Sequence, residues 1–492
     1  MPREEMPGNT PGSVAAVRER SVQVPRYHFI APEGSCRPFD PNGCLYWNRR
    51  FHVFYIFQNA DLPDGGHCWG HASSPDLINW TFHPTALAAG PDDPERGIYS
   101  GCAVVSKEGR PTLVYYGLGA GICIATCTDD NLLEWEKHPS NPVIPEPKRG
   151  DPHFDVYRVF DPHVWLEDDT YHAILGGWVK PHDIRDTAYL FTSDDLVNWT
   201  YQRPFYSPHP HWTDENEDCA CPDFFDLGDK SVLLCISHTR GTRYYVGTRT
   251  DGTFVPESHH RMTWPGGSCF APETLTDDMG RRIMFAWAVE QRREDSGFAV
   301  MTLPRVLSLG EGLRLKVAPA REVEILRTAA RRRDTFVIDD EIVTLLEMAG
   351  DTMEIDIEFQ PQSARRLGLI VRAAPNGVEQ TRIVYDAGAG TLSVDTAHSS
   401  LADDVFRQYP IVPRGAPVKD IDVQTAPLDL YPDDPLKLRV FLDRSILEVF
   451  ANDYLCLTQR IYPTLAGSIY TRLFADGGTA EVTRIQAWDI GL

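Results

Sequence analysis

Asp76-Leu77-Ile78-Asn79-Trp80, Asn131-Leu132-Leu133-Glu134-Trp135 and Asp195-Leu196-Val197-Asn198-Trp199 are three copies of one short pattern, 55 and 64 residues apart. Each follows a Ser- or Thr-containing stretch after a run of strand-forming residues. One supersecondary unit is therefore reused along the chain, and repeated small sheets of this size pack radially. From Tyr27 to Leu309, runs rich in Val, Ile, Phe, Tyr and Trp are broken by Gly, Pro, Asn and Asp roughly every ten residues, an all-β texture. The reading is a β-propeller, whose inner strands bring residues distant in sequence to one axis.

A chain of 492 residues exceeds a single ordinary core, so at least two domains are expected. After Leu309 the texture changes. Residues 311–334, with Val323, Ile325 and Leu326 among charges, predict a linking helix. From residue 335 to 492 short alternating runs return, from Met353 to Phe359, Leu367 to Arg372, Arg382 to Tyr385, Leu436 to Phe441, Ile446 to Phe450 and Ala480 to Trp488, and predict a β-sandwich. Ser399 to Pro435 reads as an irregular surface insertion. The organisation expected is a disordered lead-in over 1–26, a propeller over 27–310, a linker helix over 311–334 and a sandwich over 335–492.

The formal net charge of −23 gives no counter-ion surface for phosphates, which argues against nucleic acid and anionic membranes. No apolar run approaches a membrane span. The lead-in lacks the apolar core of a secretory signal, and eleven cysteines, an odd number, stand in apolar contexts without zinc-framework spacing. A cytoplasmic protein without metal or cofactor is expected, acting on a small neutral molecule. The faces of both domains are open to homo-oligomer formation.

The candidate chemistry lies in acids placed by proline. In Phe39-Asp40-Pro41-Asn42-Gly43, Pro41 and the Asn-Gly pair hold Asp40 at the last position of a strand or just beyond it. Arg158-Val159-Phe160-Asp161-Pro162 repeats the device. A third acidic cluster, Glu215-Asn216-Glu217-Asp218, runs through Cys219-Ala220-Cys221-Pro222-Asp223 into an apolar strand.

These stretches, in this order, resemble glycoside hydrolase family 32, the invertase and fructanase group. Trp69-Gly70-His71-Ala72-Ser73, Tyr99-Ser100-Gly101, Phe270-Ala271-Pro272-Glu273-Thr274, Leu303-Pro304-Arg305, Leu442-Asp443-Arg444-Ser445 and Glu448-Val449-Phe450 join them, from Tyr27 to Leu492. The resemblance implies a five-bladed propeller followed by a sandwich, and retaining cleavage of terminal β-D-fructofuranosides such as sucrose or short fructo-oligosaccharides. It implies Asp40 as nucleophile and Asp161 as the aspartate that steadies the transition state. Trp69, Tyr99, Ser100, Asp223 and Trp287 fall where the family binds sugar, although Trp69 and Trp287 equally suit core aromatics.

Three positions depart from the pattern. Ala220 stands where the family carries its acid/base Glu, Phe39 replaces an Asn, and Phe160 replaces an Arg, a loss that Arg158 is placed to make good. Strict strand alternation puts Asp218 on the face of position 220. Glu217 needs a bulge but has the longer side chain, and it is the preferred proton donor of the two. The departures keep two other readings open, a furanosidase for another sugar such as an arabinofuranoside and a non-catalytic sugar-binding module; a third, a fructosyltransferase, stands because the choice between water and a second sugar depends on how well an acceptor binds beside the intermediate.

Overall fold

The computed structural model describes residues 21–62, 66–180, 186–207, 209, 211–250, 252–292, 297–405, 421–431 and 433–491. Its first half contains five antiparallel sheets, each wound outward from an inner strand. The inner strands are Pro41–Trp47, Ile98–Val105, Pro162–Glu167, Ala220–Leu227 and Cys269–Thr276, and define blades I to V. Each touches the next, and the fifth touches the first, so the ring closes.

The second strand of a blade explains the apolar runs. Arg50–Gln58, in blade I, is buried along its middle on both faces. Val53, Tyr55 and Phe57 pack into a core shared with blade V, while Phe54 and Ile56 pack into one shared with blade II. In blade IV, Val232 and Leu234 face blade V while Leu233 and Cys235 face blade III. Successive side chains of a strand point to opposite faces. A blade between two neighbours therefore needs apolar residues at every position.

The repeated sequence pattern forms the turn between third and fourth strands of blades I to III. Leu77, Leu132 and Leu196 adopt left-handed backbone at φ 65°, 59° and 65°. The following Trp closes each turn by donating its indole N–H to that leucine's carbonyl at 3.1, 3.1 and 2.8 Å. An aspartate accepts the free amides, Asp76 and Asp195 from within the pattern and Asp129 from two residues before it.

The second half is a sandwich. One sheet runs Arg327–Arg333, Thr479–Ile490, Thr352–Gln360, Leu436–Asp443, Ile446–Ala451 and Leu455–Arg460, with Phe336–Asp339 also paired to Thr479–Ile490. The other runs Ile342–Leu345, Tyr470–Asp476, Arg366–Ala373, Thr381–Asp386, Thr391–Asp395 and Val423–Pro427. Alternate apolar residues of both close one core, as Ile355, Ile357, Leu369 and Leu473 do.

Three expectations change. The linker helix of 311–334 is absent: short 3-10 turns at Glu311–Leu313 and Arg321–Leu326 flank Leu315–Pro319, the outer strand of blade V, and Arg327–Arg333 is already a sandwich strand. Val323 and Leu326 are buried in the core shared with blade V, and from Arg327 onward pairing with Thr479–Ile490 outcompetes local helix propensity. Within the predicted insertion Val423–Pro427 is a strand, while 406–420 lies outside the described residues. Of the expected lead-in, 1–20 likewise lies outside them; Val24 is buried and the Gln23 amide donates to the Pro463 carbonyl. Among the described residues no helix is long and apolar enough to cross a membrane.

The domains are joined by buried charge. Asp443 accepts the backbone N–H of Tyr27 and His28, each at 2.9 Å, and the His28 ring at 2.9 Å. Glu448 accepts the Leu303 N–H at 3.0 Å and faces the Arg305 guanidinium at 3.2 Å, with both side chains fully buried. The Leu-Pro-Arg and Asp-Arg-Ser motifs are therefore interface chemistry. Removing one partner strands the other as an uncompensated buried charge, so Glu448→Ala should cost about 3–5 kcal/mol. A urea denaturation midpoint unchanged from the parent would refute this.

Candidate active site

Two of the five inner strands begin at a proline, Pro41 and Pro162, and two more carry one within their first four residues, Pro222 and Pro272. Proline has no N–H to contribute and holds the preceding residue extended, which suits the first residue of a strand. Irregular pairing occurs near the start of four inner strands, between Asn42 and Leu45, Ile98 and Gly101, Ala220 and Asp223, and Phe270 and Glu273, while the strand from Pro162 pairs regularly. Bulges re-aim side chains. Asp40 immediately precedes its strand rather than following one, because Asp-Pro-Asn-Gly opens the strand and the hairpin turn falls later, at Asn48 and Arg49. Asn42 ties the blades together, donating to the Asp40 carbonyl at 2.8 Å and accepting the Gly101 N–H at 2.8 Å. Gly43 has φ 53°, and a Cβ there would press on Leu113 and Phe54.

The strand starts surround a cavity of about 460 Å³. Asp40, Ser100 and Asp161 line it, with Tyr99 and Trp287 as walls. The Ser100 hydroxyl donates to Asp40 Oδ2 at 2.9 Å, while Asp40 Oδ1 has no hydrogen-bond partner among the described residues. Asp161 Oδ2 accepts the Cys221 N–H at 2.9 Å. The Cys221 Sγ lies 3.9 Å from Asp40 Oδ2 and 3.5 Å from Asp161 Oδ2, so both carboxylates crowd one sulphur. Cys221 holds this position at φ 44°, strained for a residue with a side chain. Burial pushes the Asp40 carboxyl up to about 7; the Ser100 hydrogen bond and His238 pull it down, and Asp161 pushes it further up. Burial likewise raises Asp161, against the Cys221 amide.

The remaining expected residues divide. Trp69 is wholly buried and stands behind the cavity wall, donating its indole N–H to the Tyr99 carbonyl at 2.9 Å. Arg158 does not replace the guanidinium lost at Phe160: it lies 3.4 Å over the Trp178 ring, and Phe160 itself lines the cavity. Asp223 turns across to blade V, where it accepts the Thr274 N–H at 2.8 Å, because the bulge after Ala220 sets its register. Phe39, fully buried, packs on Tyr55 and Phe29 outside the cavity.

The preference for Glu217 is corrected. Its carboxylate is fully buried, held by Arg243 at 2.8 Å and Arg261 at 2.6 Å, and it accepts the Asp214 N–H at 3.0 Å. Arg243 also donates to the Asp218 carbonyl at 2.6 Å and lies 3.3 Å from Asp186. Glu217 thus anchors the segment leading into blade IV and does not line the cavity. Asp218 is nearer, yet both its oxygens are engaged by one residue that sequence reading missed. His238 donates its backbone N–H to Asp218 Oδ1 at 2.9 Å, and its Nδ1 lies 2.6 Å from Oδ2. Part of the signal was present in the hairpin Leu227-Gly228-Asp229-Lys230. Antiparallel pairing counted back from that turn sets Asp223 opposite Leu234, but it takes the one-residue bulge beyond, which no count from the turn gives, to set Ala220 opposite Ile236 and hence residue 218 beside 238. Among the described residues no group of three or more His, Cys, Asp or Glu side chains could hold a metal ion.

Glycosyl hydrolases family 32 N-terminal domain matches residues 28–319, and the family 32 C-terminal domain matches 322–489. The chain belongs to glycosyl hydrolase family 32. Levanase of Bacillus subtilis is 30% identical over 87% of this chain, which spans 64% of that protein's length. Sucrose-6-phosphate hydrolase of Escherichia coli is 29% identical over 97% of this chain and 98% of its own. The solved structure of fructan 1-exohydrolase IIa from Cichorium intybus superposes with a TM-score of 0.81 at 22% identity, covering 96% of this chain and 98% of that one, which shows the shared family 32 fold.

The raised Asp40 carboxyl has a stability consequence with a definite sign. Between the ordinary carboxylate range and about 7, the folded protein holds a proton that the unfolded chain has lost, so this group's contribution to stability falls as pH rises. Asp40→Asn should raise the melting temperature at pH 8, corresponding to roughly 2–4 kcal/mol, and the gain should fade toward pH 4. Equal melting shifts at both pH values would refute the assignment.

Proposed function

We propose that this chain is a retaining glycoside hydrolase of terminal β-D-fructofuranosides, sucrose or short fructo-oligosaccharides among them. The observation that carries the reading is the Asp40–Ser100 pair facing Asp161 across the axial cavity. Asp40 Oδ1 attacks the anomeric carbon while Ser100 holds Oδ2, and the ester so formed is then hydrolysed by water from the opposite face, the one that the leaving group vacated. Asp161, fixed by the Cys221 amide, accepts sugar hydroxyls and offsets positive charge as the ring flattens. Trp287 and Phe270 present apolar surface for the CH face of the sugar. The levanase and sucrose-6-phosphate hydrolase relatives motivate the fructoside class. A reducing, cytoplasmic location is part of the proposal, since all eleven cysteines are free thiols and Cys221 lies in the site. Transfer to a second sugar in place of water follows the same first step.

A second reading, a different furanoside such as an arabinofuranoside, rests on Phe160: an apolar ring lines the cavity where a cation would hold a hydroxyl. Turnover of sucrose, inulin-type oligosaccharides and aryl furanosides decides between them. The expected result is fructoside cleavage with retained configuration, falling by more than about a thousandfold in Asp40→Ala. Cleavage of arabinofuranosides alone would favour the second reading, and full activity in Asp40→Ala would refute both.

A further inference from the structure

We propose that His238 is the proton donor and general base of this site, with Asp218 as the positioning residue that fixes its ring. The inference rests on the fructofuranosidase reading and supplies its missing group.

Elimination narrows the choice. Ala220 carries no proton, Glu217 is enclosed by two arginines, and Asp218 spends both oxygens on His238. The Cys221 thiol is driven far above its usual range by burial and by the two aspartates, and Arg37, at the cavity rim, pairs with Glu290 at 3.2 Å. His238 lines the cavity, with its side chain 39% exposed.

Geometry orients it. The 2.6 Å contact between Nδ1 and the Asp218 carboxylate places the Nδ1 proton there, so Nε2, on the far side of the ring, is the nitrogen that exchanges a proton with substrate. Phe160 and Phe270 lie beside it, with ring centroids 6.2 and 6.4 Å away. His238 directly follows the strand paired with the one that begins at Ala220, so it occupies the neighbourhood of the absent carboxylic acid.

The charges agree. Asp218, Asp161 and Asp40 face the ring, and Arg243 stands behind Asp218. Burial disfavours the imidazolium, but these carboxylates outweigh it and raise the His238 pKa. The cation in turn helps Asp40 ionise, the state attack requires. One residue thus compensates for both departures, the acid missing at Ala220 and the cation missing at Phe160.

The step balances. Asp40 Oδ1 forms a bond to the anomeric carbon as that carbon's bond to the leaving oxygen breaks, and Nε2–H gives its proton to that oxygen. Neutral Nε2 then takes a proton from water as the water oxygen bonds to the anomeric carbon, and the Asp40 ester bond breaks to regenerate carboxylate and imidazolium.

The test uses the full chain on sucrose and on an aryl β-D-fructofuranoside whose leaving group needs little protonation. His238→Ala should lower sucrose kcat/KM by about 10²–10⁴-fold while forming the glycosyl-enzyme from the aryl substrate within about tenfold of the parent. The alkaline limb, where the parent loses the imidazolium, should disappear. Asp218→Asn should keep that limb but move it to lower pH, with the His238 titration followed by NMR moving alongside, a shift that a merely structural Asp218 would not produce. Parent-like sucrose turnover in His238→Ala, or equal losses on both substrates with the alkaline limb intact, overturns the assignment. A parent inert on every fructoside overturns the underlying function instead, which the parent's own turnover reveals.

Discussion

The structure depends on burying both faces of every blade. Each sheet is apolar on either side and cannot be stable alone; it is covered only when a neighbour stands against each face, and with five blades that condition is met by closing a ring. Closure gathers the first residues of five strands at one end of the axis. The site is a by-product of that packing, because Asp40, Ser100, Asp161 and Cys221 come from four stretches of chain about sixty residues apart, brought together only at the axis.

Buried charge then does what apolar packing cannot. Hydrophobic contact is indifferent to small rotations, whereas the pairing of Glu217 with Arg243 and Arg261 has defined directions and a large penalty if broken. It fixes the segment before blade IV, and through the Asp218 carbonyl it fixes the carboxylate that grips His238. Asp443 and Glu448 act similarly between the domains, holding the sandwich against the chain just before blade I and against Arg305 of blade V.

The legibility of the site was uneven for physical reasons. Asp40 and Asp161 could be read because proline marks them locally, and Tyr99, Ser100 and Trp287 because they belong to short contiguous patterns. Glu217 was misread: side-chain length and residue type say nothing about an arginine arriving from the third strand of the same blade and another from its fourth. His238 carried no local mark, since its meaning lies in a partner twenty residues away across a hairpin. The linker helix failed similarly, because charged residues at helical spacing also suit a strand that pairs with the distant Thr479–Ile490.

What the sequence determined by itself is the repeated turn, the all-β texture, the two-part organisation and the family, each carried by residues near one another in the chain. What only the tertiary structure decided is which polar groups face the cavity and in which ionisation state. Ionisation follows burial and the charges within a few ångströms, and in a closed ring those neighbours come from other blades and from the far arms of hairpins.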